Sequence, residues 1–252
     1  MPHPAPSPDA TDTSLRQQVY ESLREALTMG RFAPGQKVTF RYVAGVLDVS
    51  LTPVREALRR LVAEGAFEMN PNRSVRVPLM TRDKVLELRD IRMELEGLAS
   101  GKAALVATRS QIADIRRAAR EIIVARNRGD SVTDRQKVRE FHFAVYAAAN
   151  QPTLLRLIES LWLQTGPYMN LLYPEFVSSS RGPAGRQRLI EALQARNASV
   201  ARREMADDIR RALSYVADLA DENGNIAPAA PTAVTRRRRQ PAGAAAFDLH
   251  AN

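Results

Sequence analysis

Residues 49–78 read VSLTPVREALRRLVAEGAFEMNPNRSVRVP, a stretch that combines a short helix, a glycine stop and a predicted hairpin. In the helix, apolar side chains recur with the helical period and form one inward face. These side chains are Val54, Ala57, Leu58, Leu61 and Val62. Gly65 ends the helix, and the alternating segments AFEM and SVRV enclose the turn NPNR. The arginines therefore fall on two surfaces, the outer face of the helix and the tip of the hairpin.

The residues before this stretch predict two further helices. In the first helix apolar residues repeat every fourth position, and Gly30 stops it. The repeat consists of Leu15, Val19, Leu23 and Leu27. The segment APGQKV predicts a type II turn with Gly35 at positive φ, a short helix follows over 40–46, and Ser50 is a good N-cap for the next helix. Elements in this order predict a winged helix-turn-helix over residues 13–78.

The second helix of a helix-turn-helix enters the major groove with its N-terminal residues foremost. Thr52, Arg55 and Arg59 share the outer face of that helix, and Ser50 lies near its start. The hairpin tip at residues 72–73 is then placed to reach phosphates or an adjacent minor groove. An amphipathic helix with a solvated basic face is the alternative interpretation. The order of the elements favours the DNA-binding one.

The composition limits the class of protein. The chain has 252 residues and 44% hydrophobic residues, enough for a sizeable core. Its net charge of +9 and sequence pI near 10.4 favour polyanionic partners. The absence of cysteine excludes a disulfide framework and a thiolate metal cluster. No apolar run reaches the length of a membrane span, and the first residues lack the pattern of a signal peptide. We therefore expect a soluble cytoplasmic protein.

Both ends of the chain have a composition that predicts disorder, over residues 1–12 and 222–252. The second segment contains the basic run RRRR at 236–239, which adds salt-dependent DNA affinity or has no function. Residues 81–221 have helical periodicity throughout and predict an antiparallel all-helical bundle. The predicted helices span 82–107, 110–128, 134–149, 152–173, 185–197 and 199–221. In the first of these helices, the side chains expected to face inward are Leu88, Ile91, Leu95 and Leu98.

The N-terminal unit resembles the DNA-binding domain of the GntR family of bacterial transcription regulators. The resemblance rests on QQVYESLREALTMGRFAPGQKV and VAGVLDVSLTPVREALRRLVAEGAFEMNPNRSVRV, and it covers nearly all of residues 14–78. It implies a homodimer that binds a double-stranded DNA operator in a sequence-specific way. The residues assigned to DNA contact are Arg41, Ser50, Leu51, Thr52, Arg55, Arg59, Arg73, Ser74 and Arg76.

Two of these positions depart from the family pattern. The family usually has Arg where this chain has Leu51, and Gly in the wing tip where it has Ser74. Loss of a base-reading Arg removes about 1–3 kcal/mol of discrimination at one base pair. We therefore expect an operator that differs from the family norm, with Leu51 as a candidate contact to a thymine methyl. Phosphate contacts from Arg55, Arg59 and Arg73 do not depend on these two positions.

Most of residues 83–215 resemble the helical effector-binding (FCD-like) domain of the FadR-type branch of the family. The resemblance rests on ELRDIRMELEGLASGKAA, REFHFAVYAAANQPTLL and LIEALQARNASVARREM. Many members hold a divalent metal there through one Asp and three His, and the corresponding residues here are Val138, His142, Arg186 and Asp208. Only His142 and Asp208 can ligate a divalent ion, and a firm site needs three or four ligands. We therefore predict no tightly held metal and no cofactor.

The same resemblance assigns an effector site to Arg92, His142, Arg186 and Asp208. We predict that Arg92 and Arg186 bind a small carboxylate-type effector through bidentate contacts, without a metal. The alternative is a structural ion pair between Arg186 and Asp208, with no effector and with His142 as a hydrogen-bonded core residue.

The predicted function is a transcription regulator, more often a repressor in this family, that responds to such an effector. A non-specific or architectural DNA-binding protein is the alternative, because Leu51, Ser74 and the arginine run reduce the evidence for base reading. An enzyme is not expected, because the sequence has no nucleophile elbow, no phosphate loop and no His/carboxylate cluster beyond the substituted metal positions.

Overall fold

The structure, a computed structural model, describes residues 8–71, 74–173, 175–179 and 182–226. Its N-terminal unit combines helices with a small sheet, and its C-terminal unit is a helical bundle, which confirms the predicted mainly α fold. Among the residues described, no helix has both the length and the apolar character needed to cross a membrane. The site depends on how these two units are built and joined.

The N-terminal unit has the element order of a winged helix-turn-helix. Its elements are α1 Pro8–Thr28, β1 Lys37–Thr39, α2 Phe40–Leu47, α3 Leu51–Ala63, β2 Glu68–Asn70 and β3 Ser74–Arg76. The strands form an antiparallel sheet in the order β1-β3-β2, with Val38 opposite Val75. Strand β1 was not predicted, because three residues after a turn are too few to show alternation. Helix α1 includes residues 8–12, which were predicted to be disordered.

The predicted inward faces pack around one core. Leu23 and Leu27 of α1 and Val54, Leu58 and Leu61 of α3 are fully buried there. The predicted positive φ of Gly35 is present, at 74°, and allows the turn before β1. On the hairpin Phe67, Val75 and Val77 are buried, but Met69, predicted on the same side, is exposed because β2 is the edge of a narrow sheet.

The C-terminal unit is built from helices alone, apart from one isolated bridge. They are α4 Arg82–Val106, α5 Arg109–Asn127, α6 Ser131–Ala148, α7 Pro152–Thr165, a 3-10 helix Gly166–Leu172, α8 Glu175–Ser179, α9 Gly182–Gln194 and α10 Ala198–Asp218. The single helix predicted over 152–173 is two elements, since Pro167 has no N–H to continue the α-helical pattern. The short helix α8 lies between residues 173 and 185, where the sequence predicted no helix.

The inward face of α4 differs from the prediction. Ile91 and Leu98 are 40% and 37% exposed, whereas Arg92 and Glu96 are buried. The cause is the close packing of α4 against α10, where the backbone at Gly97 and Gly101 lies against α10 and rotates the helix. A charged pair therefore lies in the core where the apolar pattern predicted leucines.

The C-terminal unit ends later than residue 221. Arg82 N donates to Gly224 O at 2.8 Å, Ile226 N donates to Met80 O at 3.1 Å, and Ile226 is buried. The backbone of Thr81 pairs with that of Asn225. Residues 222–226, predicted to be disordered, thus close the start of α4. The RRRR run at 236–239 lies outside the described residues.

The two units meet along α7 and the 3-10 helix. Leu163 of α7 is buried in the core of the N-terminal unit. Asn170 Nδ2 donates to the carbonyl of Gly30 at 2.6 Å, which caps the end of α1. Arg24 of α1 and Glu159 of α7 form an ion pair at 2.7 Å. The DNA-binding unit is therefore fixed directly to one helix of the bundle.

Candidate nucleic-acid interface and ligand site

The first turn of α3 presents polar groups to solvent. Ser50 is the N-cap residue, as predicted, but its side chain makes no capping hydrogen bond. Leu51 and Thr52 are exposed, while Pro53 and Val54 behind them are buried. The start of the helix therefore has a free hydroxyl and exposed side chains, which suits insertion into a groove.

Three arginines surround this helix start with little competition from carboxylates. Arg41 on α2 is exposed and Arg55 is half-buried, and neither has an ion pair within 4.0 Å among the described residues. Arg59 is exposed and lies 3.6 Å from Glu56, a weak surface pair. These guanidinium groups are available to phosphates or base edges.

The wing departs from the sequence assignment at Ser74. Its side chain is fully buried and its Oγ lies 3.5 Å from Pro71 O, so Ser74 supports the turn and does not face DNA. Arg76 is held by Glu68, with its Nε 2.8 Å from Glu68 Oε1. Asn72 and Arg73, the predicted tip, lie outside the described residues. The described wing thus offers Arg76 alone among the residues assigned there.

A buried polar chain crosses the helical bundle. Arg92 Nε donates to Glu96 Oε1 at 2.5 Å, and Tyr146 OH donates to Glu96 Oε2. His142 Nδ1 lies 2.8 Å from Tyr146 OH, and its Nε2 lies 3.3 Å from Asp208 Oδ2. Burial and then the negative charge of Glu96 raise the pKa of Tyr146 well above its ordinary value, so the phenol stays protonated. The side chain of His142 is buried in the bundle, as predicted.

Arg92 is not available to a ligand, contrary to the prediction. It pairs with Glu96, its Nη1 donates to Thr165 Oγ1 at 2.7 Å, and its guanidinium carbon lies 4.6 Å above the Trp162 ring. Burial of an arginine is tolerated when a carboxylate and further acceptors satisfy it. The sequence carried a signal for this pair, because Glu96 follows Arg92 at the i+4 spacing.

Arg186 does not form the ion pair with Asp208 that the alternative interpretation predicted. Only 7% of it is exposed, yet it has no ion pair within 4.0 Å among the described residues, and its buried Nη2 has no acceptor. Burial lowers its pKa, and the nearby charge of Asp208 acts in the opposite direction. The predicted Arg186–Asp208 pair is therefore not formed. Asp208 Oδ1 instead accepts from Arg211 Nη2 at 2.9 Å.

A second acidic residue, Asp134, was missed from the sequence. It is buried at the start of α6, where Tyr173 OH donates to its Oδ2 at 2.6 Å and Arg126 Nε lies 3.2 Å from the same oxygen. Arg135 stacks over the Tyr173 ring at 5.3 Å, and burial lowers its pKa. Arg126 and Tyr173 reach Asp134 and Arg135 of α6 from other elements, and no periodic sequence pattern indicates these contacts.

The donor set fits a metal poorly. Within the described ranges, no three His, Asp or Glu side chains converge in a geometry suited to a metal ion. His142 and Asp208 contact each other, and both Asp208 oxygens already have cationic or imidazole partners. A guanidinium at residue 186 also repels a second cation. The residues present thus do not match the ligands of a structural or catalytic metal.

Comparison with known proteins follows the same division of the chain. Residues 15–77 match the bacterial regulatory proteins of the gntR family, and residues 87–211 match the FCD domain. The HTH-type transcriptional regulator McbR of Escherichia coli K12 is 34% identical over 160 residues, 64% of this chain and 72% of the relative. The solved structure of E. coli McbR/YncC matches with a TM-score of 0.74 at 30% identity, covering 78% of this chain and 94% of that chain.

A longer but weaker match extends over nearly the whole chain. The protein from Paenarthrobacter nicotinovorans described as "Probable D-xylose utilization operon transcriptional repressor" is 25% identical over 88% of this chain and 96% of its own length. The chain belongs to the GntR family of bacterial transcription regulators, and its bundle is an FCD domain. Members of this family bind DNA operators and commonly act as dimers. The resemblance found in the sequence is thereby confirmed.

Proposed function

We propose that the chain is a sequence-specific transcription repressor whose operator binding is controlled by a small anionic metabolite in the helical domain. The observation that carries the DNA-binding proposal is the exposed start of α3. There Arg55 of α3, and Arg41 of the preceding helix α2, have no ion pair within 4.0 Å among the described residues. The Paenarthrobacter relative is described as a transcriptional repressor, which supports repression over activation.

On DNA, α3 enters the major groove with Ser50 and Thr52 leading. Arg55 follows one turn later and supplies a fork of donors that suits a guanine edge or a phosphate. Leu51 places an apolar side chain at the groove, where a thymine methyl is a matching contact. A homodimer presents two such helices to half-sites one helical turn apart.

In the helical domain, Arg186 is the proposed anion-binding residue. A buried guanidinium without an acceptor is costly, and an anionic ligand that accepts its hydrogen bonds removes that cost. Arg92 is satisfied within the protein, so the effector binds without it. Asp208 and His142 line the same region and orient the ligand. The substituted metal positions support a site that works without a metal.

Effector binding reaches DNA through the junction of the two units. Trp162 and Thr165 of α7 contact Arg92 on the buried side, while Leu163 between them is part of the DNA-binding core. A ligand that shifts α7 therefore shifts α1 as well. In a dimer this changes the separation of the two recognition helices and favours or disfavours the operator-bound state.

Substitution of Arg55 tests the DNA-binding proposal. Operator fragments are first selected from the genome that encodes the chain with the purified full-length protein. We expect Arg55→Ala to weaken binding to the selected duplex by about 1–3 kcal/mol, because one bidentate contact is lost. Fluorescence anisotropy with labelled duplex measures the effect.

Arg116→Ala is the matched control. Arg116 is an exposed arginine on α5 in the bundle, so its loss removes one positive charge without touching α3. Its operator affinity should stay within about twofold of the parent chain. Unchanged operator affinity in Arg55→Ala would show that α3 does not read the operator as proposed.

A non-specific DNA-binding protein is the second candidate function. Leu51 at the family's arginine position and the burial of Ser74 remove two contacts that the family pattern assigns to DNA. This candidate predicts similar affinity for all duplexes, driven by phosphates and strongly dependent on salt. The comparison of operator and random duplex separates the two.

A further inference from the structure

A cleft lies between the first helix of the DNA-binding unit and the helical bundle. Its volume of about 620 Å³ falls within the range of small-molecule sites, roughly 300–1,000 Å³. One wall is the segment 17–25 of α1, and the other wall contains Arg139 of α6. We name this space the junction cleft. None of the four residues assigned to the effector is among the described residues that line it.

The described residues that line the junction cleft all have polar or charged side chains. Several of these side chains already have partners. Gln17 Nε2 donates to Glu21 Oε1 at 2.7 Å. Arg24 Nη1 lies 3.1 Å from Glu21 Oε2, and its Nη2 lies 2.7 Å from Glu159 Oε2 on α7. The side chains that still lack partners therefore decide what the cleft can bind.

Arg139 is the cation of the junction cleft whose hydrogen bonds are incomplete. Its Nε is buried without a hydrogen-bond partner, and its guanidinium has no ion pair within 4.0 Å among the described residues. The guanidinium carbon lies 4.8 Å from the centre of the Phe143 ring, so an aromatic face covers one side of the group. Burial lowers the pKa of Arg139. Because a guanidinium has only donors, the missing partner is an acceptor.

Glu25 is the carboxylate of the cleft that has no cationic partner. Three carboxylates act electrostatically on Arg139, and Glu25 has the largest effect. The other two, Glu159 and Glu140, have cationic partners of their own at 2.7 and 2.8 Å. Glu25 is exposed and has no cation within 4.0 Å among the described residues. Glu25 and Arg139 thus line the same cleft, near enough to interact but too far apart to pair.

A ligand between these two residues needs one charge of each sign. A simple anion satisfies Arg139 but is repelled by Glu25, and a simple cation is repelled by Arg139. A molecule with a carboxylate and an ammonium group satisfies both residues. The guanidinium binds the carboxylate in a bidentate way, and the ammonium group has three donors for Glu25 and for the amide oxygen of Gln18 beside it.

We propose that the junction cleft binds a small zwitterion, an α- or ω-amino acid, with its carboxylate on Arg139 and its ammonium group on Glu25. This site is distinct from the one at Arg186 and goes beyond the proposed function. The ligand joins α1, which shares a core with α3, to α6 of the bundle. It adds a second polar link between the two units beside the Arg24–Glu159 pair.

Isothermal titration of the full-length protein tests the ligand class. Glycine is the short zwitterion and γ-aminobutyrate the long one. Their single-charge analogues are acetate and methylamine for the first, butyrate and butylamine for the second. We expect at least one zwitterion to bind at least about tenfold more tightly than both of its analogues, because one hydrogen-bonded charge contributes that much. The proposal is wrong if neither zwitterion binds at millimolar concentration, or if an analogue binds as tightly as its zwitterion.

Two variants tie the binding to the junction cleft. Arg139→Gln and Glu25→Gln should each weaken the better-bound zwitterion by at least about tenfold. Glu25 is exposed, so its variant should fold as the parent does even if Arg139→Gln does not. Arg156→Gln is the matched control, because Arg156 is an exposed arginine on α7 that bonds to Thr153 at 3.1 Å. Its affinity for the zwitterion should equal that of the parent.

The same variants show whether the ligand lies elsewhere. A folded Glu25→Gln variant that binds the zwitterion as the parent does would overturn the assignment. Arg186→Gln should bind it as the parent does, because Arg186 is not among the residues that line the junction cleft. A tenfold loss in Arg186→Gln would place the ligand in the bundle and contradict the proposal. Operator selection is measured separately, so a failure here leaves the proposed function standing.

Discussion

Asp208 contacts two polar side chains of the bundle, His142 and Arg211. Burial alone would raise its pKa, but the hydrogen bond with His142 and the charges of His142, Arg186 and Arg211 outweigh burial and lower the pKa to about 2. Its ordinary value is 3.8. Because the folded state favours the ionised form, this carboxylate stabilises the fold above pH 3.8, and the contribution disappears as the pH falls towards 2.

The pH dependence of Asp208→Asn follows from that shift. Near pH 6 we expect the variant to be less stable than the parent by roughly 2 kcal/mol, the size of a shift of nearly two pKa units. The difference should narrow between pH 5 and pH 3 as the parent begins to lose the contribution. Urea denaturation at each pH measures it, with Asp114→Asn on the exposed face of α5 as the control. A difference that is constant down to pH 3 would contradict the assignment.

Individual site residues were predictable to different degrees. The family resemblance assigned His142, Arg186 and Asp208, and in the structure His142 Nε2 lies 3.3 Å from Asp208 Oδ2, while the charge of Asp208 acts on Arg186. The role of Arg92 was misjudged although Glu96 follows it by four residues, because burial of the pair depends on the α4–α10 contact. Asp134 meets Tyr173 only through tertiary packing, so no local pattern reveals that contact.

Helix α7 contacts the buried polar chain of the bundle and the DNA-binding unit within four consecutive residues, 162–165. Trp162 and Thr165 contact Arg92, Leu163 lies in the DNA-binding core, and Gln164 Nε2 approaches Glu64 O at 3.4 Å. The alternation follows from the helical period, which turns successive side chains to different neighbours. One helix therefore contacts both Arg92 of the buried polar chain and the core of the DNA-binding unit.

Gly166 tests the importance of this contact. An alanine methyl at this position would overlap the carbonyl oxygen of Leu27 and come within 2.8 Å of Thr28 Cα, and backbone atoms cannot move aside easily. We expect Gly166→Ala to loosen the junction at a cost of about 1–3 kcal/mol. Hydrogen exchange of the Gly30 and Arg31 amides, which close the end of α1, should become faster.

Gly45→Ala is the matched control for this variant. Gly45 lies in helix α2, and a methyl there would meet no atom within 4 Å, so the change should leave exchange at the junction unaltered. Equal exchange at Gly30 in the parent and in Gly166→Ala would show that the junction is not the tight contact described here.

Most helices were predictable from periodicity, and the structure adds the side-chain caps of Thr81 and Thr108 at the starts of α4 and α5. The elements that were missed are short or depend on the junction. Strand β1 exists because β3 pairs with it, and the 3-10 helix after α7 lies against α1. Three to seven residues stabilised by tertiary contacts carry no periodic signal of their own.

The whole molecule combines a winged helix-turn-helix with an FCD domain, and both units were identified from sequence motifs. What the sequence left open is how they are joined, since the packing of α1 on α7 has no pattern in either segment alone. That junction fixes the helical bundle to the unit that carries α3. The proposed regulation depends on it, because a ligand acts on DNA affinity only if it stabilises one arrangement of the two units.

The ratio of affinities for operator and random duplex tests sequence-specific DNA binding most directly. Anisotropy titrations of the full-length protein at fixed, near-physiological salt give both dissociation constants on duplexes of equal length. A sequence-specific regulator should prefer the selected operator by at least about a thousandfold. A ratio near one would show that the chain is a non-specific DNA-binding protein and does not recognise an operator.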